Sequence, residues 1–197
     1  MSFFRRKNKK NKVKSFEGES HKSLVKKVPN YKGYNNVEDR LDTDKAIRNF
    51  LYQQLLEVID LWTASSSMLM QQQITEGWRN SNLITSFFDK IKKLLTAENI
   101  DIYRHSTFFE TTDVSEWIDV PIIYTLESEM VFLLDTIKNE IVVINEKLST
   151  PSRSPSKKEV TKEVLNLIEK LVADVNETYV MISDRAELIA SFEIVLF

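Results

Sequence analysis

The chain has 197 residues, 42% of them hydrophobic and 28% charged, with a formal net charge of -2; this is enough for one domain with a real core and too little for two large ones. Only three glycines occur and just Gly77 lies beyond residue 33, which argues against a nucleotide-binding α/β fold, whose tight turns and phosphate loops need positive φ and close backbone approach. The absence of cysteine excludes disulfides, thiolate catalysis and cysteine zinc sites and fits a cytoplasmic protein. No apolar stretch of signal-peptide length follows the basic start, and no run of about 18 apolar residues occurs later.

The small net charge conceals an uneven distribution. Residues 1–32 hold eleven Lys or Arg against Glu17 and Glu19, and the remainder holds 16 basic and 27 acidic residues. Residues 1–36 therefore read as a basic arm, disordered in isolation because it is poor in apolar residues and lacks a helical period. Arg5, Arg6, Lys7, Lys9, Lys10 and Lys12 are its candidate anion-binding residues. They suit nucleic acid or an anionic membrane, with Phe3 and Phe4 as insertion points. The plainer reading is a solubilising tail that folds back onto the acidic body.

Residues 37–197 read as a single helical domain. Asp42 or Thr43 can cap a helix whose apolar residues Ile47, Leu51, Leu55, Val58 and Trp62 advance by 4, 4, 3 and 4. The polar Gln71 to Gln73 and Gly77 interrupt it, and a second helix puts Leu83, Ile84, Phe87, Phe88, Ile91, Leu94 and Leu95 on its inner side. The expected bundle core includes Leu51, Leu55, Val58, Trp62, Phe87 and Ile91. From Ile100 the period changes to two: Ile100 to Tyr103 predicts a strand, and Ile102, Phe108, Trp117, Ile122 and Tyr124 fall in stretches that read as strands or ordered loops. A third helix is expected from Glu127 to Leu148, although Ile141 to Ile144 also favours strand. The polar, proline-broken residues 149–157 form a linker, and a fourth helix presents Val160, Val164, Leu167, Leu171, Val175 and Tyr179. Leu188 to Phe197 reads as a closing strand. The expected fold class is thus mainly α with a small β element, an α+β arrangement of two antiparallel helical hairpins and short strands.

Chemical motifs are few. His21 and His105 are the only histidines and neither has a second histidine or a cysteine nearby, so no metal site and no catalytic triad is expected. Glu127 and Glu129, like Glu57 and Asp60, read as charges of a solvated face or of an N-terminal turn. No catalytic residue, cofactor or enzyme activity is expected.

The stretch Asn49-Phe-Leu-Tyr-Gln-Gln-Leu-Leu-Glu-Val-Ile-Asp-Leu resembles a helix of GrpE-type nucleotide exchange factors that reads roughly F-x-x-x-L-L-P-V-x-D-x-L. The helix Leu83 to Leu95 with Glu98-Asn-Ile-Asp-Ile is similar to that family's L-x-K-x-G-V-x-x-I passage, and Phe109-Glu110-Thr111 to its Phe-Asp-Pro. Arg185 to Leu196 resembles its closing strand. The family's Pro and its following His are replaced by Thr111 and Asp113, its glycine-rich β wing is interrupted by residues 127–178, and its long stalk helix has no counterpart before Ile47. The resemblance implies a homodimer formed by pairing hairpins into a four-helix bundle. It also implies a β part gripping a DnaK-type chaperone to release ADP, with Phe109, Glu110 and Arg185 as partner contacts. The expected function is therefore a non-catalytic protein-interaction module, a co-chaperone of this type; the alternative is an adaptor whose basic arm, residues 1–32, binds nucleic acid or an anionic membrane.

Overall fold

The structure is a computed structural model that describes residues 18–96, 106–110, 120–149 and 157–192. Five helices carry the described chain: α1 Glu19–Lys27, α2 Val37–Gln71, α3 Thr75–Thr96, α4 Val120–Ser149 and α5 Lys157–Ala190. Helices α2 to α5 form a four-helix bundle. α2 and α3 are antiparallel, with Ser66 Oγ 2.7 Å from Ser81 Oγ and Arg48 Nη1 donating to the Leu95 carbonyl at 3.4 Å. α4 and α5 form a second antiparallel hairpin, crossed by Lys147–Glu163 at one end and Arg185–Glu127 at the other. The hairpins lie side by side, α2 against α4 and α3 against α5, while the diagonal helix pairs keep their backbones apart. α1 is a flap that packs on α4 alone.

Each long helix buries one stripe at three- and four-residue spacing. In α2 the stripe runs through Ile47, Leu51, Leu55, Val58, Trp62 and Leu69, and in α5 through Val164, Ile168, Leu171, Val175, Ile182 and Ile189. A fully buried aliphatic side chain of this kind contributes about 1.5–3 kcal/mol. The corner between α2 and α3 is a Schellman-type cap: Gln73 takes φ 57°, Ile74 N–H reaches back to the Leu69 carbonyl at 3.0 Å and Gln72 N–H to Met68 at 3.0 Å. Gly77 follows, where a Cβ would lie 3.2 Å from Leu69.

The α+β expectation is overturned, because the described residues contain helices and no strand. Ile122 and Tyr124 belong to α4, which starts at Val120 and takes Pro121 in its first turn, where a missing N–H costs least. Val120, Ile123 and Tyr124 extend the buried stripe of α4 backwards, and a run this short cannot be told from a strand by its period. Ile141 to Ile144 is helical too, with Ile141 and Ile144 buried. Leu188 to Ala190 completes α5 and Ser191 and Phe192 follow it as turn and coil, so the expected closing strand forms no strand where it is described; residues 193–197 and the expected strand at 100–103 lie outside the described residues. Where strand pairing was expected, the described residues show a backbone bond from Thr107 N–H to the Phe192 carbonyl at 2.9 Å. The other helices also start earlier than the apolar spacing predicts, α2 at Val37 and α3 at Thr75. Linker residues 150–156 lie outside the described part.

The arm differs from its expectation in its second half. Residues 18–36 form α1 and a strap over the bundle, with Leu24, Val28, Tyr31 and Tyr34 buried. Lys27 pairs with Asp135 and Lys32 with Asp39. Residues 1–17, with Arg5, Arg6, Lys7, Lys9, Lys10 and Lys12, lie outside the described residues.

Candidate functional site

The densest concentration of polar groups is inside the bundle, under the strap that joins α1 to α2. Pro29 stops α1 and opens a β-turn from Val28 to Tyr31, closed by Tyr31 N–H to the Val28 carbonyl at 3.3 Å, with Asn30 at φ 63°; Pro followed by a residue of positive φ is the pattern of a type II turn. Gly33 then takes φ 89°, and a Cβ there would meet His21 Nε2 at 2.6 Å and the Tyr124 hydroxyl at 2.9 Å. Glycine at this position lets the strap lie flat enough for both Tyr31 and Tyr34 to turn inward.

Four elements meet beneath it. The Tyr31 hydroxyl donates to Glu127 Oε2, and the Tyr34 hydroxyl donates to Glu127 Oε1 at 2.5 Å. Arg185 donates from Nε to Glu127 Oε1 at 2.7 Å and from Nη2 to the Tyr34 hydroxyl and Asp44 Oδ1, both at 2.8 Å. Arg185 of α5 thereby reaches across the bundle diagonal to α2. Asp44 is also held by Arg48 Nε at 2.9 Å. Arg40 donates to the Tyr34 carbonyl at 2.8 Å and the Phe108 carbonyl at 2.6 Å, and Thr43 Oγ1 donates to the Gly33 carbonyl at 3.0 Å. The backbone N–H of Tyr34 donates to the Tyr124 hydroxyl at 2.7 Å, while the Tyr34 and Tyr124 rings stack at 5.7 Å.

Arg40, Asp44, Glu127 and Arg185 are each less than 5% exposed. Burial raises the Glu127 carboxyl above its ordinary range, against the pull of Arg185 and the two phenols. Burial likewise raises Tyr31 and Tyr34, with the Glu127 charge adding to it, and lowers Arg40. Both tyrosines are therefore neutral donors at physiological pH. A cavity of about 10 Å³ borders this network, between Arg48, Leu51, Leu95, Met130, Ile182 and Arg185, room for about one water. The arrangement binds four parts of the chain to one another.

The expected partner contacts are placed unequally. Glu110 is exposed and its N–H closes a turn on the Thr107 carbonyl at 3.0 Å. Phe109 is half-buried, edge-on to Phe108 at 5.1 Å. Arg185 is 4% exposed and its guanidinium is turned inward, so as the chain stands it offers nothing to a partner; the Phe108–Arg40–Tyr34 bonds link it to the Phe109 turn from inside. Leu51, Leu55, Val58, Trp62 and Ile91 are buried and Phe87 half-buried against Tyr179. They fill a four-helix core built within one chain, whereas the resemblance implies a bundle formed between two. Glu127 corrects the expectation of a solvated or helix-start charge, since it is fully buried.

Tyr31, Tyr34, Arg40, Asp44 and Glu127 escaped sequence reasoning, although a signal was present. Arg40, Asp44, Ile47 and Leu51 continue one three- and four-residue register, as do Tyr124, Glu127, Met130 and Leu134, and Ile182, Arg185 and Ile189. Charged residues on a core register mark an internal ion-pair network. Among the described residues no group of three or more His, Cys, Asp or Glu could hold a metal ion, and no helix is long and apolar enough to cross a membrane.

Among the described residues two further concavities lie at the α2–α3 corner. One of about 290 Å³ is apolar, lined by Leu69, Met70, Ile74 and Trp78; the other, of about 470 Å³, is lined by Gln72, Glu76, Thr161 and Leu165 among others. Comparison with known proteins finds no matching family model, no matching curated protein and no matching solved structure.

Proposed function

We propose that the protein is a non-catalytic interaction module, a helical body that carries a basic binding arm. The observation that supports this is the engagement of the buried polar network: among the described residues Tyr31, Tyr34, Asp44, Glu127 and Arg185 bond to one another inside the bundle. Residues 1–17 hold seven Lys or Arg against Glu17 and join the body through α1, so they would be held at one end of a rigid scaffold. Binding of this kind to an anionic polymer or lipid surface weakens steeply with salt. The test is retention on heparin and on phosphatidylserine vesicles, with and without residues 1–17. Binding that disappears with the arm and with added salt supports the adaptor; binding that survives both refutes it.

A narrower reading, ADP release from a DnaK-type chaperone, is favoured by one observation: the two stretches that resemble GrpE-type helices lie on the antiparallel pair α2 and α3. Its contacts reduce to Phe109 and Glu110, because Arg185 is engaged within the fold. Acceleration of fluorescent ADP release from such a chaperone by tenfold or more, abolished by Glu110→Lys, would support it; an unchanged rate would remove it.

A further inference from the structure

Residues 19–34, which make up α1 and the strap, are attached to the bundle less broadly than its helices are to one another. α1 meets α4 alone among the helices, whereas each of α2 to α5 meets at least two others. The buried stripes of α2 and α5 extend to Leu69 and Val164, at the end of the bundle away from the strap. Neither Gly18 nor Asn36, which flank α1 and α2, makes a side-chain cap hydrogen bond, and Asn35 and Asn36 are exposed. The nine residues of α1 are too few for a helix to persist undocked. What seats them is concentrated in the strap. The Tyr31 and Tyr34 hydroxyls hold Glu127, the Tyr34 N–H holds the Tyr124 hydroxyl, and the Gly33 and Tyr34 carbonyls accept from Thr43 and Arg40. The Lys27–Asp135 and Lys32–Asp39 pairs are solvent-exposed and add little.

We infer that residues 19–34 form a latch, which opens as one unit about Asn35 and Asn36 while the four-helix bundle stays folded. The apolar side chains it withdraws from the interior are Leu24, Val28, Tyr31 and Tyr34. Unfolding the bundle exposes every buried stripe, so opening of the latch lies below global unfolding in free energy. Opening hydrates Asp44, Glu127 and Arg185 together and leaves the bonds of Arg185 to both carboxylates in place. No single charge is stranded in the core, which is what makes the loss of one member of a buried pair costly. When the latch is open, the chain between Gly18 and Asn36 adds up to about 60 Å to the tether of residues 1–17. That consequence rests on the proposed role of the arm as the binding element; the opening itself does not.

Amide hydrogen exchange of the full chain tests the latch. Relative to their free-peptide rates, the amides of residues 22–34 should exchange at least tenfold faster than those of Leu51 to Trp62 in α2. Low urea should leave the latch rate nearly unchanged while the α2 rate climbs, because the smaller opening exposes less surface. Gly33→Ala serves as a wedge, since its Cβ would meet His21 Nε2 at 2.6 Å and the Tyr124 hydroxyl at 2.9 Å. It should raise latch exchange tenfold or more while the bundle keeps a cooperative, lowered melt. Latch amides that exchange only at the α2 rate overturn the proposal. So does a Tyr34 N–H protected like α2 while α1 exchanges freely, which is fraying of α1 alone, and so does a Gly33→Ala chain without a cooperative melt. Retention on heparin and vesicles, measured separately, reports on the adaptor reading whichever way the exchange falls.

Discussion

Arg185 sits where two carboxylates and a phenol converge, and its removal would leave Asp44 and Glu127 buried without their shared cation. Breaking a buried pair in this way costs about 3–5 kcal/mol, so Arg185→Met should lower the free energy of unfolding by that order in a denaturant titration. Glu140 offers a gentler test on the α4–α5 seam. Burial raises its carboxyl above the ordinary 4.5, Lys170 pulls it back and Asp174 adds to the rise. The folded chain therefore holds this proton more tightly than the unfolded chain, and the stability it contributes is lost as pH rises through the raised value. Glu140→Gln abolishes that loss. The denaturant midpoint of the variant relative to the wild type should increase between about pH 4 and pH 8, and a pH-independent difference would refute the assignment.

At the scale of the elements, the α2–α3 corner holds a side-chain-bearing residue, Gln73, at φ 57°, a conformation that glycine adopts without the steric cost. Gln73→Gly should therefore stabilise the fold by about 1 kcal/mol, visible as a raised melting temperature; a destabilised variant would show that the glutamine side chain contributes more than its backbone strain removes. The helical periods in α2 to α5 were legible because their stripes are apolar over several turns. The start of α2 was not, because its inward positions there carry Arg40 and Asp44, so the apolar period stops while the helix goes on; Glu127 of α4 and Arg185 of α5 interrupt the apolar stripe in the same way. The same polarity hid the network, since a charged residue read alone suggests solvent. Ile122 and Tyr124 failed differently, by suiting a strand locally and being settled as helix by packing across the bundle.

For the molecule as a whole, the folded body takes in residues 18–36 together with the bundle. Deleting residues 1–17 should leave the melting temperature within a few degrees of the full chain, whereas deleting residues 1–36 removes both strap tyrosines and uncovers Glu127. That second deletion should cost several kcal/mol, on the scale of exposing a paired buried charge, and its circular dichroism melt should be lowered and broadened. Equal melts for the two truncations would mean that the strap only decorates the bundle. The closure of the network also bears on how the protein is made. Tyr34 and Asp44 are separated from Arg185 by 151 and 141 positions, and translation adds about 5–20 residues per second. A nascent chain thus carries Tyr34 and Asp44 for roughly 7–30 s before Arg185 is synthesised, with Asp44 able to pair with Arg48 in the meantime. The arrival of α5, rather than of any earlier helix, is the event that completes this network.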